Sequence, residues 1–266
     1  MRDSRRKNGE KLTAEESRNV IGDKLSFAAA EAYKLLRTNL DFSLPDAEGC
    51  KIIGVTSALR GEGKSTTSIN IAYTEALTGK KVLLLEADLR LPTIAKRLGL
   101  RGKPGISNLL AGQCKGGDIL QPSGLQKNLW VVTAGDMPPN PAELLDSEQM
   151  AAVVRAMAEN FDVIIVDLPP VTAVSDALIA SRLVSGMVVV VRQDYCDRNS
   201  LNEVIRQLKF AEAKILGFVM TGSDTLYKTY KHNKRYKRYK GYKSYKHYSK
   251  RTKNYELPSH EGYQHK

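Results

Sequence analysis

Short apolar runs recur along the middle of the chain, separated by longer stretches that mix apolar and polar residues. They read I-I-G-V-T, V-L-L-L-E, L-W-V-V-T, V-I-I-V-D, M-V-V-V-V and I-L-G-F-V-M. Each run is apolar at consecutive positions, which is typical of parallel strands that helices cover on both faces. With right-handed crossovers, six such strands predict a doubly wound, mostly parallel α/β sheet.

The stretches between the runs are rich in good helix formers and predict the helices that cover this sheet. We expect them over residues 64–78, 147–159, 175–184 and 197–211. A further helix is expected to begin after Ser26, whose hydroxyl can act as its N-cap. The residues that share one face of this helix are Phe27, Ala30, Tyr33 and Leu40.

The two ends of the chain lack any apolar periodicity. Residues 1–25 are polar and charged and predict a flexible leader, and residues 223–266 predict a disordered tail. From residue 227 the tail is a low-complexity repeat of tyrosine and lysine, which cannot bury enough apolar surface to fold. The folded domain is therefore expected over residues 26–222.

The formal net charge of +12 is concentrated in this tail. Between Lys228 and Lys253 the chain carries twelve Lys or Arg residues and no Asp or Glu. Removing these twelve from the 41 basic residues leaves 29, which equals the number of acidic residues. The rest of the chain is formally neutral, so the whole excess of positive charge belongs to the tail.

Composition also excludes several classes of protein. The three cysteines are widely spaced and form no C-x-x-C pattern, so neither a disulfide framework nor a zinc site is expected. No run approaches the ~18 consecutive apolar residues that span a bilayer, and the start lacks the apolar stretch of a signal peptide. We therefore expect a cytoplasmic protein.

Residues 58–65 read A-L-R-G-E-G-K-S between the first strand and a helix, which is the context of a phosphate-binding P-loop. Gly61 and Gly63 let backbone N–H groups turn toward phosphate, and the helix dipole favours an anion there. Lys64 is expected to neutralise the β- and γ-phosphates of ATP, and Ser65 to ligate Mg²⁺. The pattern starts with alanine instead of glycine, so the loop is a variant. The predicted ATP-binding residues are Arg60, Gly61, Glu62, Gly63, Lys64, Ser65 and Thr66.

Three acidic residues are predicted to join the P-loop at the carboxyl edge of the sheet. Glu86 and Asp88 lie two residues apart at the end of the second strand, where one could hold the metal through water and the other accept a proton. A solvated strand end with Arg90 as the partner is the alternative. Asp167 ends V-I-I-V-D as a Walker B-type carboxylate. The predicted catalytic residues are Lys64, Glu86 and Asp88, and the predicted Mg²⁺ ligands are Ser65, Asp88 and Asp167.

Four motifs together with the terminal tyrosine cluster resemble one family, the bacterial tyrosine kinases or BY-kinases. The motifs are A-L-R-G-E-G-K-S-T-T, L-L-L-E-A-D-L-R-L-P, M-P-P-N-P-A-E-L-L and F-D-V-I-I-V-D-L-P-P. The resemblance covers about residues 26–221 and the tail, and P-P-N-P-x-E-L-L at 138–145 is its most specific part. It implies a P-loop NTPase fold of the MinD/ParA type. It also implies a stand-alone tyrosine autokinase that uses ATP and Mg²⁺ and regulates capsular or exopolysaccharide biosynthesis and export.

The resemblance further implies the partners of the protein. The first is a membrane-anchored activator of the polysaccharide co-polymerase type, which would recruit the chain to the inner face of the plasma membrane. The others are an opposing tyrosine phosphatase and further copies of the chain, assembled in a ring. No nucleic acid is expected as a partner. The family's ring-forming Glu-x-x-Arg-x-x-Arg pattern corresponds here to Glu31, Lys34 and Arg37. Lysine lacks the bidentate fork of arginine, and an ordinary exposed helix face is the alternative.

Three positions depart from the family pattern. Glu86 stands where the family usually has Asp, and Leu168 stands where it usually has Thr. The last strand reads F-V-M-T-G-S, without the usual nearby Asn. A weakened or altered kinase is therefore an open alternative.

Nine of the twelve tyrosines lie at or beyond residue 227. Exposed tyrosines in a disordered chain are good phosphoacceptors, since many can be presented to one site in turn. Two rival interpretations remain: a partition or MinD-like ATPase whose basic tail binds nucleic acid or anionic membrane, and an inactive enzyme with a binding tail. In such ATPases a signature lysine stands where this chain has Arg60. The predicted phosphoacceptors are Tyr227, Tyr230, Tyr236, Tyr239, Tyr242, Tyr245, Tyr248, Tyr255 and Tyr263.

Overall fold

The computed structural model describes residues 20–44 and 49–222. The predicted phosphoacceptor tail and most of the predicted leader lie outside the described residues. The strands are β1 Lys51–Ser57, β2 Val82–Glu86, β3 Leu120–Pro122, β4 Leu129–Val132, β5 Val163–Asp167, β6 Gly186–Arg192 and β7 Ile215–Thr221. The α-helices are α1 Phe27–Ser43, α2 Lys64–Ala76, α3 Ile94–Leu98, α4 Ile106–Leu110, α5 Gly116–Ile119, α6 Pro141–Leu145, α7 Glu148–Ala158, α8 Asp176–Ala180 and α9 Arg198–Phe210.

The strands form one seven-stranded sheet in the order β3-β4-β2-β5-β1-β6-β7. All neighbouring strands pair in parallel except β3, which is antiparallel to β4. The predicted doubly wound, mostly parallel sheet is thus confirmed. β3 was not predicted, because three residues at the edge of a sheet leave no apolar run to detect.

Two apolar layers cover the two faces of this sheet. On one face Val82 and Leu84 of β2 pack in a cluster with Ile69 of α2. On the other face Leu83 and Leu85 belong to a cluster that includes residues of α7, α8 and α9. All five residues of β2 are buried, which explains why the strand is apolar without alternation.

The predicted leader is wrong at its C-terminal end, since the chain already packs on the domain from residue 20. The backbone N–H of Gly22 donates to Asn70 Oδ1 at 3.0 Å, and Asn70 Nδ2 donates to the carbonyl of Val20 at 2.9 Å. Ile21 is buried in the α2 side of the core. Two hydrogen bonds to Asn70 and the buried Ile21 side chain hold this short segment, and no periodicity reveals it.

The prediction that α1 begins after Ser26 is confirmed. The Ser26 hydroxyl accepts a hydrogen bond from Ala29 N at 3.3 Å. The predicted apolar face holds for Leu40, which is 4% exposed, but not for Phe27, which is 63% exposed. Phe27 is the first residue of the helix, where the helix has not yet reached the core.

The carboxyl ends of the central strands meet at one edge of the sheet. In the register of these strands, Asp167 of β5 lies between Val55 of β1 and Glu86 of β2. The loop from β1 to α2 crosses the same edge. In open α/β sheets ligands bind at this edge, where neighbouring connections run to opposite faces.

Candidate active site

The P-loop connects β1 to α2 at the carboxyl edge of the sheet. Gly61 and Gly63 have φ angles of 90° and 95°, which lie in the left-handed region that favours glycine. Within the described ranges, the N–H groups of Gly61, Glu62 and Gly63 donate no hydrogen bond to the protein. Free amides beside a helix N-terminus make an anion site, so the loop fits the phosphates of a nucleotide.

The side chain of Glu62 supports this loop and does not face a ligand. It is fully buried, and its two oxygens accept hydrogen bonds from Leu59 N at 2.6 Å and Arg192 N at 3.2 Å. The predicted ATP-binding role of Glu62 can therefore come only from its backbone N–H group.

Lys64 lies at the centre of the predicted metal ligands. Its Nζ atom is 2.7 Å from Asp88 Oδ2, 3.6 Å from Asp167 Oδ2 and 3.4 Å from Ser65 Oγ. Burial alone would lower the pKa of the Lys64 ammonium, but Asp167 and Asp88 outweigh burial and raise the pKa. The structure thus brings four of the predicted site residues to one point and keeps the lysine charged.

Asp167 is fully buried and only partly satisfied by the protein. Its Oδ1 atom accepts a hydrogen bond from Ser68 Oγ at 3.0 Å, whereas its Oδ2 atom has no hydrogen-bond partner among residues 20–44 and 49–222. Burial raises the pKa of the Asp167 carboxyl, although Lys64 acts in the opposite direction. Because an unsatisfied buried carboxylate oxygen is costly, this atom is suited to meeting a cation.

The donor set fits Mg²⁺ shared with a phosphate better than a metal held by protein alone. No cluster of three or more His, Cys, Asp or Glu side chains with metal-ligand spacing occurs in the part of the chain that the structure describes. Ser65, Asp88 and Asp167 offer one hydroxyl and two carboxylates. Mg²⁺ keeps several waters and is commonly bound through one or two carboxylates and substrate phosphates, so such a sparse set is sufficient.

Glu86 is the strand neighbour of Asp167, but its carboxylate is engaged by backbone N–H groups, which corrects its assignment as a catalytic residue. Its carboxylate is 1% exposed and accepts hydrogen bonds from three backbone N–H groups. The donors are Thr93 N at 2.5 Å, Ile94 N at 2.6 Å and Ala134 N at 3.2 Å. Burial raises the pKa of this carboxyl, although these N–H groups oppose the rise. Through these bonds Glu86 holds α3 against the loop after β4, and its carboxylate forms no hydrogen bond or ion pair with Lys64 within the described residues.

The alternative of a solvated acidic strand end is wrong as well. Asp88 is 4% exposed and Glu86 is 1% exposed, so both acids are buried. Arg90 instead forms a bidentate pair with Asp176, with distances of 2.9 and 3.1 Å. Asp176 is fully buried and begins α8. No local pattern predicts this pair, because its members are 86 residues apart.

Ser68 is a second residue of the site that sequence reasoning missed. It lies one helical turn after Lys64 on α2, so its hydroxyl reaches the buried Asp167 carboxylate. That spacing was a usable signal, since residues four apart on a helix share a face.

The three predicted oligomer residues do not form one surface. Lys34 pairs with Glu31 at 2.7 Å on the exposed side of α1. Arg37 points to the domain, where its Nη1 atom donates to the carbonyl of Thr74 at 3.0 Å. In the described chain Arg37 therefore ties α1 to the end of the P-loop helix.

No helix in this part of the chain combines the length and apolarity needed to cross a membrane.

Comparisons with known proteins agree with this geometry. A profile of the ParA family, described as NUBPL iron-transfer P-loop NTPase, matches residues 49–257. The tyrosine-protein kinase YwqD of Bacillus subtilis is 37% identical over 193 residues, which are 73% of this chain and 81% of that protein. Two solved structures are similar at the level of the whole domain. The kinase domain of the Escherichia coli tyrosine kinase ETK matches with a TM-score of 0.73 and 29% identity, covering 83% of this chain and 84% of that one. The chimerical protein CapA2B2 matches with a TM-score of 0.72 and 31% identity, covering 77% and 88%.

These likenesses span most of the domain and include its nucleotide-binding edge. The match to YwqD exceeds four fifths of that kinase. The profile match places the same residues in the ParA-like class of P-loop NTPases. The chain belongs to the family of bacterial tyrosine-protein kinases, which are ATP-dependent transferases built on this fold.

Proposed function

We propose that this chain transfers the γ-phosphoryl group of ATP to tyrosine hydroxyls in its own C-terminal tail. One observation carries the proposal: Lys64, Ser65, Asp88 and Asp167 converge on a single point beside the free amides of the P-loop. Phosphoryl transfer is catalysed mainly by positioning and charge stabilisation, which such a cluster supplies.

Asp88 is the residue best placed to accept the proton of the attacking hydroxyl. Its Oδ2 atom bonds to Lys64, and its Oδ1 atom accepts a hydrogen bond from Leu91 N at 3.1 Å. When the phosphates engage Lys64, the Oδ2 atom gains freedom to accept a proton. The tyrosine oxygen then bonds to the γ-phosphorus, the bond to the β–γ bridging oxygen breaks, ADP leaves, and the phenol proton passes to Asp88.

The residues that would hold Mg²⁺ are Ser65, Asp88 and Asp167. The ion supplies neutralisation of the phosphate charge when it is bound. The Oδ2 atom of Asp167 accepts no hydrogen bond from the described residues and lies 3.6 Å from Lys64 Nζ, which supports this assignment, since a carboxylate oxygen is a preferred Mg²⁺ ligand.

The substrate we assign is the tyrosine cluster that follows the domain. Thr221, at the end of β7, donates a hydrogen bond to the P-loop carbonyl of Glu62 at 2.7 Å, so the chain leaves the domain beside the site. The six residues from Thr221 to Tyr227 can span at most about 20 Å. Each phosphate adds about −1.5 to −2 charges, so about six to eight would cancel the twelve positive charges of the tail. Phosphorylation would then act as a charge switch on the tail.

The setting that we propose follows from membership of the family. The kinase would act in the cytoplasm, assemble with other copies of itself, be recruited by a membrane-anchored activator and be opposed by a tyrosine phosphatase. Its output would be the regulation of capsular or exopolysaccharide synthesis.

The test is incubation of the purified chain with Mg-ATP, followed by intact mass and phosphotyrosine mapping. We expect a ladder of single phosphoryl increments within residues 227–263, which Lys64→Met abolishes. A chain truncated after residue 226 should bind ATP without gaining phosphotyrosine. Phosphotyrosine that persists in the truncated chain would refute the assigned substrate, and ATP hydrolysis without phosphotyrosine would favour the partition-type ATPase.

A further inference from the structure

Three consecutive carbonyl groups of the P-loop, those of residues 60–62, accept hydrogen bonds from side chains at the ends of β6 and β7. The donor–acceptor pairs are Tyr195 Oη to Arg60 O at 2.9 Å, Arg192 Nη1 to Gly61 O at 3.3 Å and Thr221 Oγ1 to Glu62 O at 2.7 Å. All three donors lie on one side of the loop, on elements next to β1 and beyond it in the sheet.

The orientation of these carbonyls fixes the orientation of the next N–H groups. The peptide bonds at residues 60–63 are trans, since the cis bond found in the described chain is Lys103–Pro104. In a planar trans peptide the C=O and the following N–H point in opposite directions. Holding the carbonyls toward Tyr195, Arg192 and Thr221 therefore turns the N–H groups of residues 61–63 away from them, and these are the amides that donate to no protein acceptor within the described ranges.

The loop needs such support because glycine allows its peptide planes to rotate. Gly61 and Gly63 carry no Cβ, so either flanking peptide can turn over at little steric cost. A side-chain donor on each carbonyl selects one orientation before a ligand arrives. This is preorganisation, which spares a ligand the cost of ordering the loop.

The donors are themselves held in place. The Arg192 guanidinium lies 5.5 Å from the centre of the Tyr195 ring, within the range of a cation–π contact. The backbone N–H of Arg192 donates to the buried Glu62 carboxylate at 3.2 Å. The carbonyl of Thr221 accepts a hydrogen bond from Gln193 N at 2.9 Å, which joins the two strand ends. The three donors thus form one unit with the loop.

We propose that Tyr195, together with Arg192 and Thr221, positions the P-loop for phosphate by holding its carbonyl groups outward. These are positioning residues, because the contacts that carry the proposal are with carbonyl groups of the loop. The inference rests on the proposed nucleotide site and adds the residues that shape it. It assigns a role to Tyr195, one of the three tyrosines that lie outside the tail.

The test uses Tyr195→Phe, which keeps the ring and removes the donor, and Thr221→Val, which removes the hydroxyl at nearly constant shape. We expect each to weaken binding of ADP and ATP by about three- to tenfold in Kd, the range for one neutral hydrogen bond. In the kinase assay KM for ATP should rise while kcat changes little, since the effect is on binding. Thr221→Ser keeps the donor and should bind as the wild type does.

Tyr73→Phe is the matched control, since it removes a tyrosine hydroxyl from α2 at the side away from the loop. Thermal unfolding checks that each variant stays folded, and hydrogen exchange gives a second measurement. Nucleotide should protect the amides of residues 61–63 less in Tyr195→Phe than in the wild type. Unchanged Kd and unchanged protection in both loop variants, with binding lost in Lys64→Met, would overturn the inference while leaving the nucleotide site intact. Full binding by Lys64→Met would overturn both proposals.

Discussion

Replacing Asp167 by asparagine would separate the effect of this carboxylate on the stability of the fold from its effect on phosphotransfer. Asparagine has nearly the same shape and keeps an oxygen for the Ser68 hydroxyl, which bonds to Asp167 at 3.0 Å. It removes the charge from a fully buried position where one oxygen lacks a partner in the described part of the chain. We expect the variant to be more stable than the wild type without ligands and to lose phosphotransfer.

Two effects of similar size decide the sign of the stability change. The attraction between Asp167 and Lys64, at 3.6 Å, is about 4 kcal/mol for an effective dielectric constant near 20. Burial of an ion costs several kcal/mol and also leaves the Oδ2 atom unsatisfied. The cost of burial exceeds the attraction to Lys64, because the pKa of Asp167 is raised despite the nearby ammonium. After the substitution Lys64 still has Asp88 as its ion-pair partner. The variant should therefore be more stable than the wild type near pH 7, and in a domain of this size each kcal/mol raises Tm by roughly 2–4 °C.

The pH dependence provides an independent check on this reasoning. A carboxyl whose folded pKa is raised binds its proton more tightly in the folded state, so its contribution is present below the unfolded pKa of about 4 and is lost as pH rises through the folded pKa. The stability advantage of Asp167→Asn should therefore vanish below about pH 4 and grow above it.

The assay is urea unfolding in buffer without metal or nucleotide, at several pH values from 4 to 8. Asp162→Asn is the matched control, because Asp162 is exposed and lies just before β5, where its carboxylate accepts a hydrogen bond that asparagine can also accept. We expect the control to change the free energy of unfolding by less than about 0.5 kcal/mol. A loss of stability in Asp167→Asn at pH 7 would show that Lys64 outweighs burial, and the reasoning would be wrong.

Three further substitutions test the site and its supports. Lys64→Met should abolish phosphotransfer and destabilise the ligand-free domain by about 3–5 kcal/mol in chemical denaturation, because it leaves buried carboxylates without their cation. Glu86→Ala should lower the free energy of unfolding by about 3–5 kcal/mol, because it leaves three backbone N–H groups unsatisfied. Hydrogen exchange should then be faster in α3. A variant that is stable but inactive would instead restore Glu86 as a catalytic residue. Asp176→Asn should lower the free energy of unfolding by about 1–3 kcal/mol, since one of its two bonds to Arg90 is lost, while Arg182→Gln on the exposed side of the same region should change little.

Much of the fold was predictable because long elements repeat their signal. The helix predicted over 197–211 spans Arg198–Phe210, and the Asp197 carboxylate caps it by accepting from two backbone N–H groups. The four short helices α3, α4, α5 and α6 were not predicted. Each has only four or five residues, which is too few for a helical period to show.

The positions of site residues were predictable where the topology of the sheet sets them. They were not predictable where the orientation of a single side chain sets them. Asp88 and Asp167 converge on Lys64 because parallel strands end at the same edge as the P-loop. The same rule failed for Glu86. The prediction that Glu86 and Asp88 share the metal and proton roles needs both side chains on one side of a continuing strand, but β2 ends at Glu86 and the alternation no longer applies.

Hydrogen-bond donors and a hydrogen-bond acceptor that lack a partner among the described residues lie together at the carboxyl edge of the sheet. The amides of residues 61–63 have no protein acceptor among the described residues, and across the site the buried Asp167 oxygen has no donor. The Asp167 oxygen is fully buried, so its missing hydrogen bond costs stability in the free protein and is not explained by folding. A phosphate would satisfy the amides and a divalent cation would satisfy the carboxylate, which are the two halves of Mg-ATP. By contrast, the carboxylates of Glu62 and Glu86 are fully used by backbone N–H groups. The buried acids that support this site are thus held by backbone N–H groups, whereas the two that we expect to meet its ligand, Asp88 and Asp167, face the Lys64 ammonium.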